Sequence, residues 1–206
     1  MASTDDTNKT SDTSTQLVVL VNQAKDGNRS AFARLVDQFQ ADVYRMVYYR
    51  IRSGADAEDI AQDVFLKAYQ KISSIKDASR FRGWLFSITL NRIRDFQRKK
   101  RFRALFKVED ENIETQPPAE TGTDQPDALD HVLREDFWRQ IRLMLDKLSK
   151  MEREVFLLRF FDHLNLKEIA GILRKNESTI KTHLYRALAK FKKEPGIRQL
   201  LKEIIQ

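Results

Sequence analysis

The sequence predicts an all-α protein made of two small helical domains, joined by an acidic flexible linker, with a helix-turn-helix in the second domain. Apolar residues recur at helical spacing on both sides of residues 106–133, and no run alternates as a half-buried strand would. Residues 108–133 hold eight acidic side chains and no lysine or arginine, and three of the four prolines also lie there. Proline and net charge both disfavour a packed element, so this segment is expected to be a linker.

The composition limits the classes of function. The chain has 206 residues, a formal net charge of +7 and a sequence pI of about 9.6, which favours an acidic partner such as nucleic acid. It contains no cysteine, so disulfides, thiolate zinc sites and thiol nucleophiles are excluded. The longest apolar run, residues 17–21, is too short for a bilayer, so no membrane insertion is expected. Residues 1–16 lack the order of a signal peptide and are predicted to be a disordered tail of a cytoplasmic protein.

The first predicted domain covers residues 17–105 and starts with three helices. A short helix over residues 17–25 ends near Gly27. Ser30 is expected to cap a long helix that ends at Ile51, and Asp56 to cap a third helix. The third helix has an apolar face for the core, and the opposite face should be exposed at Asp59, Gln62, Asp63, Leu66 and Gln70, with Phe65 and Tyr69 at the boundary.

The fourth predicted helix, at about residues 81–103, begins apolar and becomes strongly basic. Aromatic residues interleave with the cations, a combination that suits unpaired bases because rings stack on them while cations hold the backbone. Core packing is expected to take some of these rings, Trp84 first. A solvated helix face is the plainer interpretation of the basic run, which comprises Arg92, Arg94, Arg98, Lys99, Lys100, Arg101 and Arg103.

The second predicted domain covers residues 134–206 and contains the helix-turn-helix at residues 164–192. Its first helix is predicted at about 166–174, and either Asn176 or Ser178 can cap the second. The second helix has an apolar face at Ile180, Leu184, Leu188 and Phe191. The opposite face is polar and basic, as in helices that enter the DNA major groove with their N-terminal residues at the base edges.

With these segments identified, the chain resembles a bacterial sigma factor of the extracytoplasmic-function group. The resemblance covers residues 17–193: DAEDIAQDVFLKAYQKI at 56–72 matches the family's polymerase-binding helix, and FRGWLFSITLNRIRDFQRKKR at 81–101 matches the segment that melts and reads the −10 element. ERE at 152–154, followed by the helix-turn-helix, matches the domain that reads the −35 element.

The resemblance implies a protein without catalytic site, metal or cofactor, which binds core RNA polymerase and promoter DNA under the control of an anti-sigma factor. Its polymerase contacts would be the clamp of the largest subunit and the flap of the second-largest. The clamp would meet Asp59, Gln62, Asp63, Phe65 and Leu66. The −10 DNA would meet Lys76, Asp77, Ser79, Arg80, Trp84, Asn91, Arg94 and Arg98. The −35 DNA would meet Ser178, Thr179, Lys181, Thr182, His183, Tyr185 and Arg186.

Two other interpretations fit part of the sequence. A DNA-binding regulator that works without polymerase would have a similar helix-turn-helix, but it would leave the helices at 56–72 and 81–103 unexplained. A sigma mimic that titrates an anti-sigma protein would tend to lose the DNA-reading residues, which this chain keeps. Enzyme classes find little support, because the three histidines are scattered and no glycine-rich phosphate loop occurs.

Overall fold

The computed structural model describes residues 5–106, residue 139 and residues 141–192, with side chains described at residues 15–104, 139 and 141–192. The chain divides into two compact units, Met1–Gln116 and Pro117–Gln206. The boundary lies inside the predicted linker, residues 106–133, which falls almost wholly outside the described residues. Described secondary structure is helical throughout both units, with no strand in those ranges, as the predicted all-α class requires.

The first unit contains four helices: α1 (Asp5–Lys25), α2 (Arg29–Ile51), α3 (Gly54–Lys71) and α4 (Phe81–Phe106). Two short 3₁₀ turns, Ile72–Ser74 and Ala78–Arg80, connect α3 to α4. α2 is the central helix, since α1, α3 and α4 all pack against it. The core consists of apolar side chains from all four helices, among them Val21, Leu35, Met46, Val64 and Leu85.

Three helix starts differ from the sequence prediction. α1 begins at Asp5, inside the expected disordered tail. α2 is capped by Asn28, whose Oδ1 accepts from Ala31 N at 3.0 Å, and not by Ser30. α3 is capped by Ser53, whose hydroxyl accepts from Asp56 N at 3.3 Å, and not by Asp56 itself.

The second unit contains α5 (helical at residues 141–146), α6 (Lys150–Phe160), α7 (Leu166–Leu173) and α8 (Glu177–Lys192). α8 packs against both α6 and α7, so it joins the described helices of this unit. Phe156 of α6 meets Phe191 of α8 edge-on, with the ring centroids 5.0 Å apart. The expected helix over residues 194–206 lies outside the described residues.

Candidate functional surfaces

One face of α3 is buried and the other is exposed, as predicted. Ala57, Ile60, Val64 and Ala68 are buried against the unit. On the other side Asp59, Gln62 and Asp63 are exposed, Phe65 is half-buried, and Leu66 exposes 58% of its surface. Acidic, amide and apolar groups thus share one solvent-facing surface, which suits a protein partner that has both cations and an apolar contact.

The loop between α3 and α4 is anchored by alternate side chains. Ile75 and Ala78 are buried, whereas Lys76, Asp77, Ser79 and Arg80 are exposed. Asp77 holds the loop in shape, because its Oδ1 accepts from Ser79 N at 3.0 Å and from Ser79 Oγ at 2.6 Å. These two bonds, the hydroxyl's first, hold the pKa of the Asp77 carboxyl below its ordinary value.

The first half of α4 contributes aromatic rings to the core, but Trp84, the ring expected there first, is not the most buried one. Phe81 and Phe86 are buried at 1% exposure each, whereas Trp84 is only half-buried. The rings of Trp84 and Phe81 are tilted, with centroids 5.7 Å apart. The reason is the register of α4: residues 81, 85, 86, 89 and 90 face inward, and residue 84 lies at the margin of that face.

The second half of α4 presents the predicted cationic surface. Asn91, Arg94 and Arg98 are exposed, and Arg98 forms an exposed ion pair with Asp95 at 3.0 Å. The run at residues 99–103 is exposed as well, and Phe102 in its middle exposes 62% of its surface. The side chains assigned to the −10 DNA thus lie on two consecutive elements of one unit, the loop and α4.

A group of tyrosines at the end of α2 lies beside this cationic surface, and the sequence patterns did not predict this group. Gln97 of α4 donates to the carbonyl of Arg50 at 3.3 Å, which joins the two helices there. Tyr44 and Tyr48 are stacked with ring centroids 6.1 Å apart, and the Arg52 guanidinium lies 5.9 Å from the centre of the Tyr49 ring. The signal in the sequence is the tyrosine and arginine run at residues 48–52.

The turn between α7 and α8 has only three residues and is fixed at both ends. Arg174 ends α7 in the left-handed conformation, with φ 53° and ψ 47°. The next amide, Lys175 N, donates to Ala170 O at 3.0 Å, which completes the helix end. Asn176 caps α8, since its Oδ1 accepts from Thr179 N at 2.8 Å, so Asn176 rather than Ser178 is the cap.

α8 has its buried face where predicted, with one change. Ile180, Leu184 and Phe191 are buried, but Ala187 completes the face and Leu188 is half-buried. The 3.6-residue period makes 180, 184, 187 and 191 the tighter helical stripe.

The predicted reading residues occupy the other side of α8. Ser178, Lys181, Thr182, Tyr185 and Arg186 are exposed, Tyr185 at 66%. Lys181 Nζ lies 3.4 Å from Glu177 Oε1, one helical turn earlier. Thr179 and His183 are half-buried, and the His183 Nδ1 atom is buried without a hydrogen-bond partner among the described residues. Its place at the edge of the face makes His183 less accessible than its neighbours.

A buried carboxylate, that of Glu152 on α6, holds the C-terminal end of α8. Glu152, only 5% exposed, accepts from Lys190 Nζ at 2.6 Å and from Ser149 N at 2.8 Å. Ser149 in turn caps α6, because its hydroxyl accepts from Glu152 N. The bond from Lys190 is the main reason that the pKa of Glu152 is lowered, although burial opposes it. This contact ties the start of α6 to the end of α8.

Metal and membrane features do not occur within the described ranges. No group of three or more histidine, aspartate or glutamate residues there could hold a metal ion. No helix in the same ranges is long and apolar enough to cross a bilayer.

Comparison with known proteins identifies the family. Two family models match the chain: sigma-70 region 2 over residues 35–103, within the first unit, and sigma-70 region 4 over residues 138–191, within the second. SigW of Bacillus subtilis, an ECF RNA polymerase sigma factor, is 30% identical over 182 residues, covering 84% of this chain and 94% of SigW. The chain belongs to the ECF sigma factors.

A second relative agrees with this assignment, and a solved structure shares the fold. The ECF sigma factor BldN of Streptomyces coelicolor is 32% identical over 176 residues, which cover 85% of this chain, and the chain spans 64% of BldN. A solved complex of the sigma factor RpoE with the anti-sigma factor NepR, from Bartonella quintana, contains a similar fold. That comparison has a TM-score of 0.59 at 24% identity, and it covers 83% of this chain and 96% of the other.

Proposed function

We propose that this ECF sigma factor binds core RNA polymerase through the exposed face of α3 and directs transcription from promoters read by α4 and α8. The observation that carries the proposal is the exposure of most of the assigned contact residues. The sets lie on the solvent-facing sides of α3, α4 and α8, whose opposite sides are buried in their own units, and on the exposed loop before α4. A sigma factor must be able to offer these surfaces to partners without unfolding.

For polymerase, the support comes from the chemistry of the α3 surface. Asp59 and Asp63 supply carboxylates that pair with arginine, Gln62 adds an amide, and Leu66 supplies an apolar contact at 58% exposure. Charged groups across such an interface set its orientation, and an apolar side chain at the centre excludes water. The clamp of the largest polymerase subunit is the proposed partner of this surface, and the flap of the second-largest subunit is the proposed partner of the second unit.

For the promoter, the two units divide the work. The loop at residues 76–80, the half-buried Trp84 and the exposed residues Asn91, Arg94 and Arg98 act on the −10 element, where the strands separate. Cations hold the phosphate backbone and aromatic rings stack on bases that have lost their partners. The exposed side of α8 enters the major groove of the −35 element, which stays double-stranded.

Regulation by an anti-sigma factor is part of the proposal. In the solved complex from Bartonella quintana, RpoE is bound to the anti-sigma factor NepR, and its likeness to this chain is one of fold. An anti-sigma protein would act in the cytoplasm, where polymerase and promoters are, by covering the surfaces that polymerase or DNA needs.

Promoter opening gives the direct test. The chain is mixed with core polymerase and a promoter that the holoenzyme selects, and unpaired thymines around −10 are detected by permanganate oxidation. The proposal predicts reactive thymines only when both proteins are present. If the chain binds the promoter by itself and core polymerase adds no opening, it is a polymerase-independent regulator. If it binds an anti-sigma protein and neither polymerase nor DNA, it is a sigma mimic.

A further inference from the structure

The helix that is proposed to read DNA, α8, begins with an acidic residue. Glu177 is the first residue of α8 and is exposed, on the same side as Lys181 and Ser178. DNA is densely anionic, so a carboxylate at this position weakens binding to every sequence unless it makes a contact of its own. The helix does not depend on Glu177 for its cap, because Asn176 Oδ1 already accepts from Thr179 N.

The ion pair between Glu177 and Lys181 gives this carboxylate a fixed neighbour. Glu177 Oε1 and Lys181 Nζ are 3.4 Å apart, and each side chain is 48% exposed. An exposed pair of this kind contributes little to stability, about 0–1 kcal/mol by general experience. Its geometry nevertheless presents one hydrogen-bond acceptor directly beside one donor at the start of the reading helix, where side chains meet base edges.

A C·G base pair offers the complementary pattern in the major groove. Cytosine N4 donates and guanine O6 accepts, and the two atoms lie about 2.9 Å apart because they are hydrogen-bonded to each other. We propose that Glu177 accepts from cytosine N4 while Lys181 donates to guanine O6 and N7, so that this ion pair reads one C·G pair in the −35 element. The inference rests on the proposed function and adds a specificity determinant to it.

The other base pairs fit the ion pair less well. An A·T pair also has a donor beside an acceptor, but adenine N7 adjoins the donor and its lone pair would repel the Glu177 carboxylate. In a C·G pair, the position next to the cytosine N4 donor is only a C–H group, which does not repel the carboxylate. The second acceptor of guanine, N7, lies on the other side of O6, where Lys181 can reach it. The pair therefore distinguishes C·G from A·T by repulsion as well as by attraction.

Selection from a promoter library tests the inference. Holoenzyme assembled with the full chain is used to select DNA randomised over the −35 region, at one salt concentration, and the bound fraction is sequenced. Wild type, Glu177→Ala and Glu177→Gln are compared, with Asp146→Asn as a matched control that removes one exposed acid outside the reading helix. Thermal unfolding checks that all four chains are equally folded.

We expect wild type to select a C·G pair at one position. Glu177→Ala should reduce that preference by about fivefold to 150-fold, the range for loss of one good base contact. Glu177→Gln should shift the preference toward adenine, because glutamine bonds adenine N6 and N7. Asp146→Asn should select like wild type.

Three results would overturn the inference. If both Glu177 variants bind all sequences equally more tightly, Glu177 only repels DNA. If they select the same sequences as wild type, Glu177 contacts no base. If wild-type holoenzyme selects no −35 sequence at all, the proposed function fails together with the inference, so the two failures are distinguishable.

Discussion

Glu152 shows how one buried side chain fixes α8 in place. Its carboxylate is desolvated, which alone would favour the protonated acid, but two donors on two different elements compensate. Because the net effect lowers the pKa of Glu152, the folded state gains stability at pH values above the ordinary pKa of about 4.5. That gain is lost as the pH falls through the lower pKa of the folded state.

A charge-neutral variant should expose this contribution. Glu152→Gln should lower the free energy of unfolding at about pH 7 by about 1–3 kcal/mol, because charge-assisted hydrogen bonds to Lys190 and Ser149 are replaced by weaker ones. The difference from wild type should shrink as the pH falls below the ordinary pKa of about 4.5 and through the lower pKa of the folded state. Urea unfolding followed by circular dichroism measures it, and the exposed change Asp146→Asn should have little effect. A difference that does not depend on pH would show that charge is not the cause.

The exposed carboxylate of Asp63 allows a test of polymerase binding. Asp63→Arg should weaken binding to core polymerase by about 2–5 kcal/mol if the contact is desolvated, since it exchanges an attractive charge for a repulsive one. The fold should be unaffected because the side chain is exposed. Affinity is measured by titration of labelled chain with core polymerase, and Asp37→Arg on exposed α2 surface is the matched control. Equal affinities for Asp63→Arg and Asp37→Arg would contradict the assignment of the α3 surface.

At the scale of elements, sequence periodicity predicted faces well and helix ends less well. The buried face of α3 and the two helices around the Arg174–Asn176 turn agree with the prediction, because a 3.6-residue repeat reports burial directly. The caps of α2 and α3 were placed two or three residues too late. Several short polar residues lie together at each of these starts, and only the backbone conformation decides which of them accepts from the helix amides.

For the candidate surfaces, the sequence predicted which side chains are exposed better than which aromatic rings are buried. The exposure of Asp63 and Arg98 followed from the helical pattern. The sequence did not predict that Phe86, and not Trp84, is buried in the core. Both rings lie close together on α4, and the rotation of α4 against α2 and α3 decides which of them is buried. The Asn28 cap and the stacking of Tyr44 on Tyr48, one turn away on α2, are local contacts, but they depend on side-chain conformations that hydrophobic periodicity does not report.

The end of α7 yields a prediction for the helix-turn-helix as an element. Arg174 adopts φ 53°, a conformation in which a side chain is disfavoured and glycine is not. Arg174→Gly should therefore raise the free energy of unfolding by up to about 1 kcal/mol, the relief of strain being partly offset by the freer unfolded chain. Arg142→Gly, at an exposed position of α5, should instead lower it by about 1 kcal/mol. Urea unfolding of both variants checks the opposite signs, and a loss of stability in Arg174→Gly would contradict the strain argument.

For the whole molecule, charge is divided between a basic majority and the acidic segment at residues 108–133. We propose that the negative charge of this segment competes with DNA for the basic surfaces of the free protein, and that polymerase removes the competition. Replacing its eight acids by Asn and Gln should tighten binding of free protein to DNA about tenfold at ~50 mM salt and much less at ~200 mM. Gel shifts of free protein and holoenzyme over a salt series measure this. Equal promoter affinity for wild-type free protein and holoenzyme would contradict the proposal.

The most direct measurement of the central claim is run-off transcription from a selected promoter with purified core polymerase. We expect full-length transcript with the wild-type chain, a large loss with Asp63→Arg, and retention with Asp37→Arg. We also expect a large loss when either Arg98 of α4 or Arg186 of α8 is replaced by alanine, since each promoter element needs its own helix. Transcript made equally well without the chain, or with Asp63→Arg in its place, would contradict the claim that this protein directs initiation through the α3 surface.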